Sequence, residues 1–285
     1  MLLATAILVL APLVIVPLAL AQLDNVVAAA PRLWAWVKRL QIPTALLFAV
    51  AFILPQGNIA ALFCLPWMGF TALLAICGLV HFVKNVRSVG SELLVVAALG
   101  FIPIGAFWAL ISRWGFPPTP FTDKIILLTG VHFHYAAFAL PIIASFTIKA
   151  KPSWNERLLV IGLIAGIPLL AMGITFSPLL EVTAAIVVAG SCWSLALLMF
   201  VRCDAGSNPI GATLQKISAI SISCGMVLAV LYATGEYCGN SWIDIPTMIP
   251  LHGVANSIGF ALFGLLSHRC GSGPGRVARE RLPSG

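Results

Sequence analysis

Ile125-Ile-Leu-Leu-Thr-Gly-Val-His-Phe-His-Tyr-Ala-Ala-Phe-Ala-Leu-Pro-Ile-Ile-Ala-Ser-Phe-Thr-Ile148 is the stretch whose reading decides the fold. It is long and apolar enough to cross a bilayer as a helix. It nevertheless carries His132 and His134. An ionisable side chain at membrane depth is costly and marks a functional site by default. A second apolar stretch, Pro250-Leu-His-Gly-Val-Ala-Asn-Ser-Ile-Gly-Phe260, repeats the combination with His252 and Asn256.

The surrounding chain agrees. Of 285 residues, 60% are hydrophobic and 9% are charged, where a soluble domain has about 25% charged residues. With a mean hydropathy of +1.05, the expected fold is all-α, a polytopic transmembrane helix bundle. The net charge of +7 does not point to nucleic acid, because no basic tract is interleaved with aromatics. Membrane lipids are the expected partners, with an unidentified small hydrophobic or polar ligand. No Gly-rich phosphate loop or Cys-x-x-Cys pair occurs. The seven cysteines are scattered and odd in number, which suits apolar packing rather than a disulfide framework.

Taken in order, residues 2–21 read as a first span. Ala19-Leu20-Ala21 resembles a signal-peptidase site, but no Lys or Arg precedes the run, which favours a retained helix. Trp34 and Trp36 with Arg32, Lys38 and Arg39 suggest a surface-lying helix over residues 22–40. Ile42–Leu54 follows as a short second span, under about 20 Å long, crossing fully or re-entrant. The remaining spans are Ile59–Val83, Leu93–Ile111, 125–148, Leu158–Phe176, Leu179–Val201, Ile217–Thr234 and Met248–Ser267. Pro117, Pro118 and Pro120 break the loop Ser112–Lys124. Residues 1–270 thus form one helical domain, with N-terminal spans over 1–83 and a motif-bearing core over 90–268. Residues 271–285 form a flexible basic cytoplasmic tail.

Charge tests this nine-span order. With the N-terminus outside and the C-terminus inside, every Lys and Arg except Arg113 and Lys124 falls on the inner side, 14 of 16. That asymmetry is the positive-inside rule. In this topology His132 and His134 lie about 10–14 Å below the outer end of their helix. His252 and Asn256 lie near the outer end of the last span, and Glu181 and Glu236 at the outer ends of theirs. The shared depth is the signal.

His132, His134, His252 and Asn256 are therefore the candidate catalytic residues, and Glu181, Glu236 and Tyr135 the candidate substrate-binding ones. Each has a plainer reading. His252 and Asn256, four apart on one face, could simply hydrogen-bond neighbouring helices. The two carboxylates are near enough to the interface to stay hydrated, and Tyr135 suits packing. His-x-His puts its two rings about 200° apart on an α-helix, so the pair cannot ligate one ion without distorting the helix. No metal is assigned and the cofactor is left open; one of the pair with His252 could still hold zinc or haem. Proton exchange between imidazoles and carboxylates is the simpler chemistry. Pro141 leaves the Ala137 carbonyl without its helical partner and should bend the helix just below the histidines.

Thr129-Gly-Val-His-Phe-His-Tyr-Ala-Ala-Phe138 and Met248-Ile-Pro-Leu-His-Gly-Val-Ala-Asn-Ser-Ile-Gly-Phe260 together resemble the YndJ-like family of bacterial membrane proteins. The resemblance covers residues 90–265. It implies a multi-pass protein of the bacterial inner membrane and carries no mechanism with it. From the residues, the leading expectation is a membrane-embedded enzyme doing acid–base chemistry on a lipid or isoprenoid-like substrate. The alternative is a transporter, proton-coupled in one form. Nine spans do not divide into equal repeats, and the ionisable residues sit at one side only, which favours a one-sided site.

Overall fold

The computed structural model describes residues 1–116, 121–149, 151–203, 208–240 and 242–271. All regular structure among them is helical. Ten helices follow in order: α1 Leu2–Leu20, α2 Asp24–Ala29, α3 Pro31–Ala51, α4 Asn58–Asn85, α5 Ser91–Trp114, α6 Asp123–Thr147, α7 Trp154–Phe176, α8 Pro178–Val201, α9 Pro209–Tyr237 and α10 Ile245–Cys270. Eight of the described helices are long and apolar enough to span a membrane unaided.

The ninth crossing is α3, and here the structure corrects the sequence reading. The surface helix over 22–40 and the short span Ile42–Leu54 are not separate elements. After the brief α2, one helix of 21 residues runs from Pro31 to Ala51. At the helical rise it is about 31 Å long, enough for the roughly 30 Å hydrocarbon core. Both ends are tethered. Lys84 Nζ donates to the Ala29 carbonyl at 2.7 Å, and Arg113 donates to the carbonyls of Ala51 and Leu54 at 2.9 and 2.6 Å. Lys84 and Arg113 lie at opposite ends of the bundle, so α3 traverses it. Its basic residues hide the span from a hydropathy reading, and Pro43 is carried inside the helix.

Caps written in the sequence fix the helix starts. Thr122, Ser177 and Asn208 accept from backbone N–H groups of α6, α8 and α9. Ser153 and Glu156 form a capping box on α7, the reciprocal pairing that satisfies two orphan donors. Asp244 caps α10, and hydrogen bonds from Thr247 hold its carboxyl below the ordinary carboxylate range. α6 and α10 begin a little earlier than the sequence suggests, and α9 is longer at both ends. The three loop prolines at 117, 118 and 120 and the tail 272–285 lie outside the described residues.

One end of the bundle holds Lys84, Arg87, Arg157 and Arg202 and is called the basic end here. At that end Arg202 pairs with buried Glu156 at 2.9 Å and also donates to the Thr147 carbonyl, joining α6, α7 and α8. α6 is the hub. Over its most apolar 18 residues it is 67% buried, the highest share among the eight strongly apolar helices, and α10 is the lowest at 28%. α1, α6 and α10 run side by side in one direction. Tyr135 Oη donates to the Ile7 carbonyl at 2.9 Å, and Gln22 donates to the Leu265 carbonyl at 3.4 Å.

These three helices share a departure from α geometry. π-Helical turns occur at Ala11–Ile15, Tyr135–Ala139, Ile249–Gly253 and Ala255–Leu262. Such turns are uncommon and gather at functional places. Prolines explain most of them: Pro12 and Pro17, Pro141, and Pro250 remove a donor and push back the carbonyl four residues earlier. A widened turn, Tyr135–Ala139, thus stands just below the histidines where Pro141 is expected to bend the helix.

Candidate functional site

Positions 132 and 134 face opposite sides of α6, as their spacing requires. His134 is fully buried and points toward α3 and α4. Its Nδ1 lies 2.8 Å from the Gly130 carbonyl. A carbonyl only accepts, so Nδ1 carries the proton and Nε2 holds the lone pair. That lone pair accepts from the Trp67 indole N–H at 3.1 Å. The imidazole lies edge to edge with Trp67, the two ring planes only 17° apart, and the Phe48 ring centre is 6.2 Å away. Gly105 of α5 makes room, since a Cβ there would sit 2.8 Å from His134 Nδ1. Both ring nitrogens are satisfied inside an aromatic pocket.

His132 turns the other way and is exposed at the protein surface. Its Nδ1 donates to the Leu128 carbonyl at 2.9 Å. Nε2 keeps its lone pair and has no partner among the described residues. The ring lies beside that of His252 of α10, with centres 6.3 Å apart and planes inclined by 30°.

His252 bridges three helices. Its Nδ1 donates to the Gly225 carbonyl of α9 at 2.8 Å, and its Nε2 accepts from the Asn256 amide at 3.0 Å. This fixes the tautomer as neutral, with the proton on Nδ1. The Asn256 amide stands with its N–H toward His252 Nε2 and its oxygen close to Gly225. Asn256 Oδ1 is buried and has no partner. A Cβ on Gly225 would lie 2.5 Å from that oxygen, so any side chain there would push Asn256 out of its place. Gly225 therefore supplies both a carbonyl and a space.

The other candidates lie elsewhere. Tyr135 is buried, with its hydroxyl on α1. Glu181 is buried at the start of α8 and lies within electrostatic range of exposed Glu236 and of Tyr232 on α9. No hydrogen bond or ion pair among the described residues joins either carboxylate to His132, His252 or Asn256. The structure thus brings His132, His252 and Asn256 together, and sets His134, Tyr135 and the carboxylate pair apart. No group of three His, Cys, Asp or Glu among the described residues is close enough to hold one metal ion.

Trp67 and Gly225 escape a sequence reading. Trp67 is one aromatic in an apolar span, and Gly225 is one small residue in another. Neither carries a signal until its partner is placed.

The comparisons bear on the whole chain. A family model described as YndJ-like protein matches residues 6–260. The "Uncharacterized membrane protein YndJ" of Bacillus subtilis (strain 168) is 28% identical over 234 residues, covering 80% of this chain and 41% of that protein. The chain therefore spans about two fifths of the length of this curated relative. No solved structure matches. The family match runs through all nine crossing helices as far as Phe260 and takes in both histidine motifs; the chain is a multi-pass membrane protein belonging to the YndJ-like family.

Proposed function

We propose that this is an enzyme of the bacterial inner membrane, in which His132, His252 and Asn256 perform acid–base chemistry on a lipid or isoprenoid-like substrate. Membrane lipids, not nucleic acid, are its surroundings and partners, and the N-terminus faces outward. The observation that carries the reading is the state of His132. Its proton is held on Nδ1 by Leu128, and its Nε2 lone pair is exposed and unpaired beside the His252 ring. An imidazole with one nitrogen anchored and the other free is oriented to take a proton from a substrate hydroxyl or similar donor. His252 and Asn256 form the second layer. A proton reaching His252 Nε2 removes the lone pair that Asn256 donates to. The amide then turns over and offers its oxygen, so protonation state and amide orientation move together.

Lipid extracts from cells expressing wild type, His132→Ala and His134→Leu test this. A lipid species that changes with wild type and fails to change with His132→Ala supports the enzyme. Equal changes with wild type and His132→Ala overturn it. Reporter fusions after residues 116 and 203 should report outside and inside respectively. Matching compartments overturn the orientation.

A proton-coupled transporter is the second reading. The observation favouring it is the run of π turns in α10 around His252, since interrupted helices are common at transport sites. Proton uptake by reconstituted vesicles, abolished by His132→Ala, distinguishes it from the enzyme.

A further inference from the structure

At the basic end, where α1 finishes and α2, α5 and α6 meet, lies a cavity of about 270 Å³. Its wall includes Gln22, Asp24, Asn25, Glu92, Ser145 and Phe146. Glu92 is held in place rather than left to swing. One oxygen accepts from Asn25 Nδ2 at 2.9 Å and the other from Nε2 of His81. His81 is fully buried, and its Nδ1 accepts from Asn85 at 3.0 Å. The chain Asn85–His81–Glu92–Asn25 presents the carboxylate in one orientation.

Gln22 spends its amide N–H groups on the carbonyls of Leu18 and Leu265 at 2.8 and 3.4 Å. Its Oε1 is buried with no partner, a cost that an incoming donor would relieve. Ser145 gives its proton to the Ile142 carbonyl at 2.6 Å, which leaves lone pairs. Asp24 has no partner among the described residues. Side-chain oxygens of Gln22, Asp24, Glu92 and Ser145 thus stand at the cavity, beside the Ser91 hydroxyl and the first turns of α2 and α5. No Lys or Arg lines the cavity, although this is the end of the molecule where basic residues gather. Two carboxylates and an orphan acceptor, without a cation among them, repel an anion and call for a positive donor.

We propose that this cavity binds a protonated primary amine, with the ammonium between Glu92, Asp24 and Gln22 Oε1 and its methylene groups against Phe146. The ammonium has three donors, matching those three acceptors. Its source is either a free amine or the ethanolamine headgroup of a phospholipid, because the cavity lies at helix ends, at headgroup level. The site is separate from His132, so its failure leaves the reading of that site untouched.

The test uses the whole purified protein in detergent. Its melting temperature is followed against ethanolamine at constant ionic strength, with sodium and choline as controls. A second arm replaces phosphatidylcholine by phosphatidylethanolamine in the micelle. A saturating rise of about 3 °C is expected for a ligand well above its dissociation constant. It should vanish in Glu92→Gln and weaken in Asp24→Asn, an exposed position where folding is not at stake. A rise with ethanolamine alone assigns a free amine, and a rise with the phospholipid assigns the headgroup. No rise in either arm overturns the proposal. So does an equal rise with choline, which has no N–H, or with sodium, or a rise that survives both substitutions.

Discussion

His132 and His134 stand two residues apart on one helix and live in opposite circumstances. His134 is closed off by Phe48, Trp67 and Gly105, and both its nitrogens are spent. His132 keeps a free nitrogen at the surface, next to a histidine from the least buried span. The contrast teaches how to read a polar residue in an apolar helix. Where the protein itself satisfies every donor and acceptor, the residue pins helices together. Where one nitrogen is left over, a substrate, a proton or water must satisfy it.

The largest expected break in this comparison is Trp67→Ala. It removes a fully buried ring from the His134 pocket and strands the imidazole lone pair, at a cost of about 3–5 kcal/mol. Unfolding in detergent measures it. His134→Leu comes next, at about 1–3 kcal/mol, because the Trp67 N–H loses its acceptor in a dry site. Combining His134→Leu with Trp67→Phe should cost less than the two changes added, since the orphan is removed along with its partner. Additive costs would mean that the bond does not pin α4 to α6.

Gly225→Ala probes the other side. The new Cβ would overlap Asn256, and overpacking should cost about 1–2 kcal/mol. It should also free His252 from its two partners. Carbethoxylation of His252, slow in wild type, is then expected to accelerate; an unchanged rate would show that Gly225 does not hold the pair.

The smallest effect is expected at His132 itself. His132→Leu should change stability by no more than about 0.5 kcal/mol, because the position is exposed and its hydrogen bond stays within its own helix. The same protein should lose its fastest-reacting histidine. A stability loss equal to that of His134→Leu would erase the distinction between the two residues.

Much of the bundle was legible because membrane crossing is a local demand. Length and apolarity have to be met within each segment, so the spans read one at a time, and the split of basic residues ordered them. α3 was the exception. Its first half carries Arg32, Lys38 and Arg39, and a charge count alone made it a surface helix followed by a fragment. Only the contacts of Ala29 with Lys84 and of Leu54 with Arg113 join them into a crossing. The candidate residues were legible as unusual types in apolar runs. Their grouping was not, because Glu181 and Glu236 lie toward the same end of the bundle as His132 yet sit on helices that do not bring them to it.

Residue types and their spacing were enough to specify an all-helical multi-pass protein, and to turn His132 and His134 to opposite faces of α6, since helical periodicity is a property of a single segment. Which face meets Trp67, which meets His252, and that Gly225 must lack a side chain were settled by packing alone. Hydrogen bonds between helices join residues as far apart as Trp67 and His134, and no local pattern records which helix will be the neighbour.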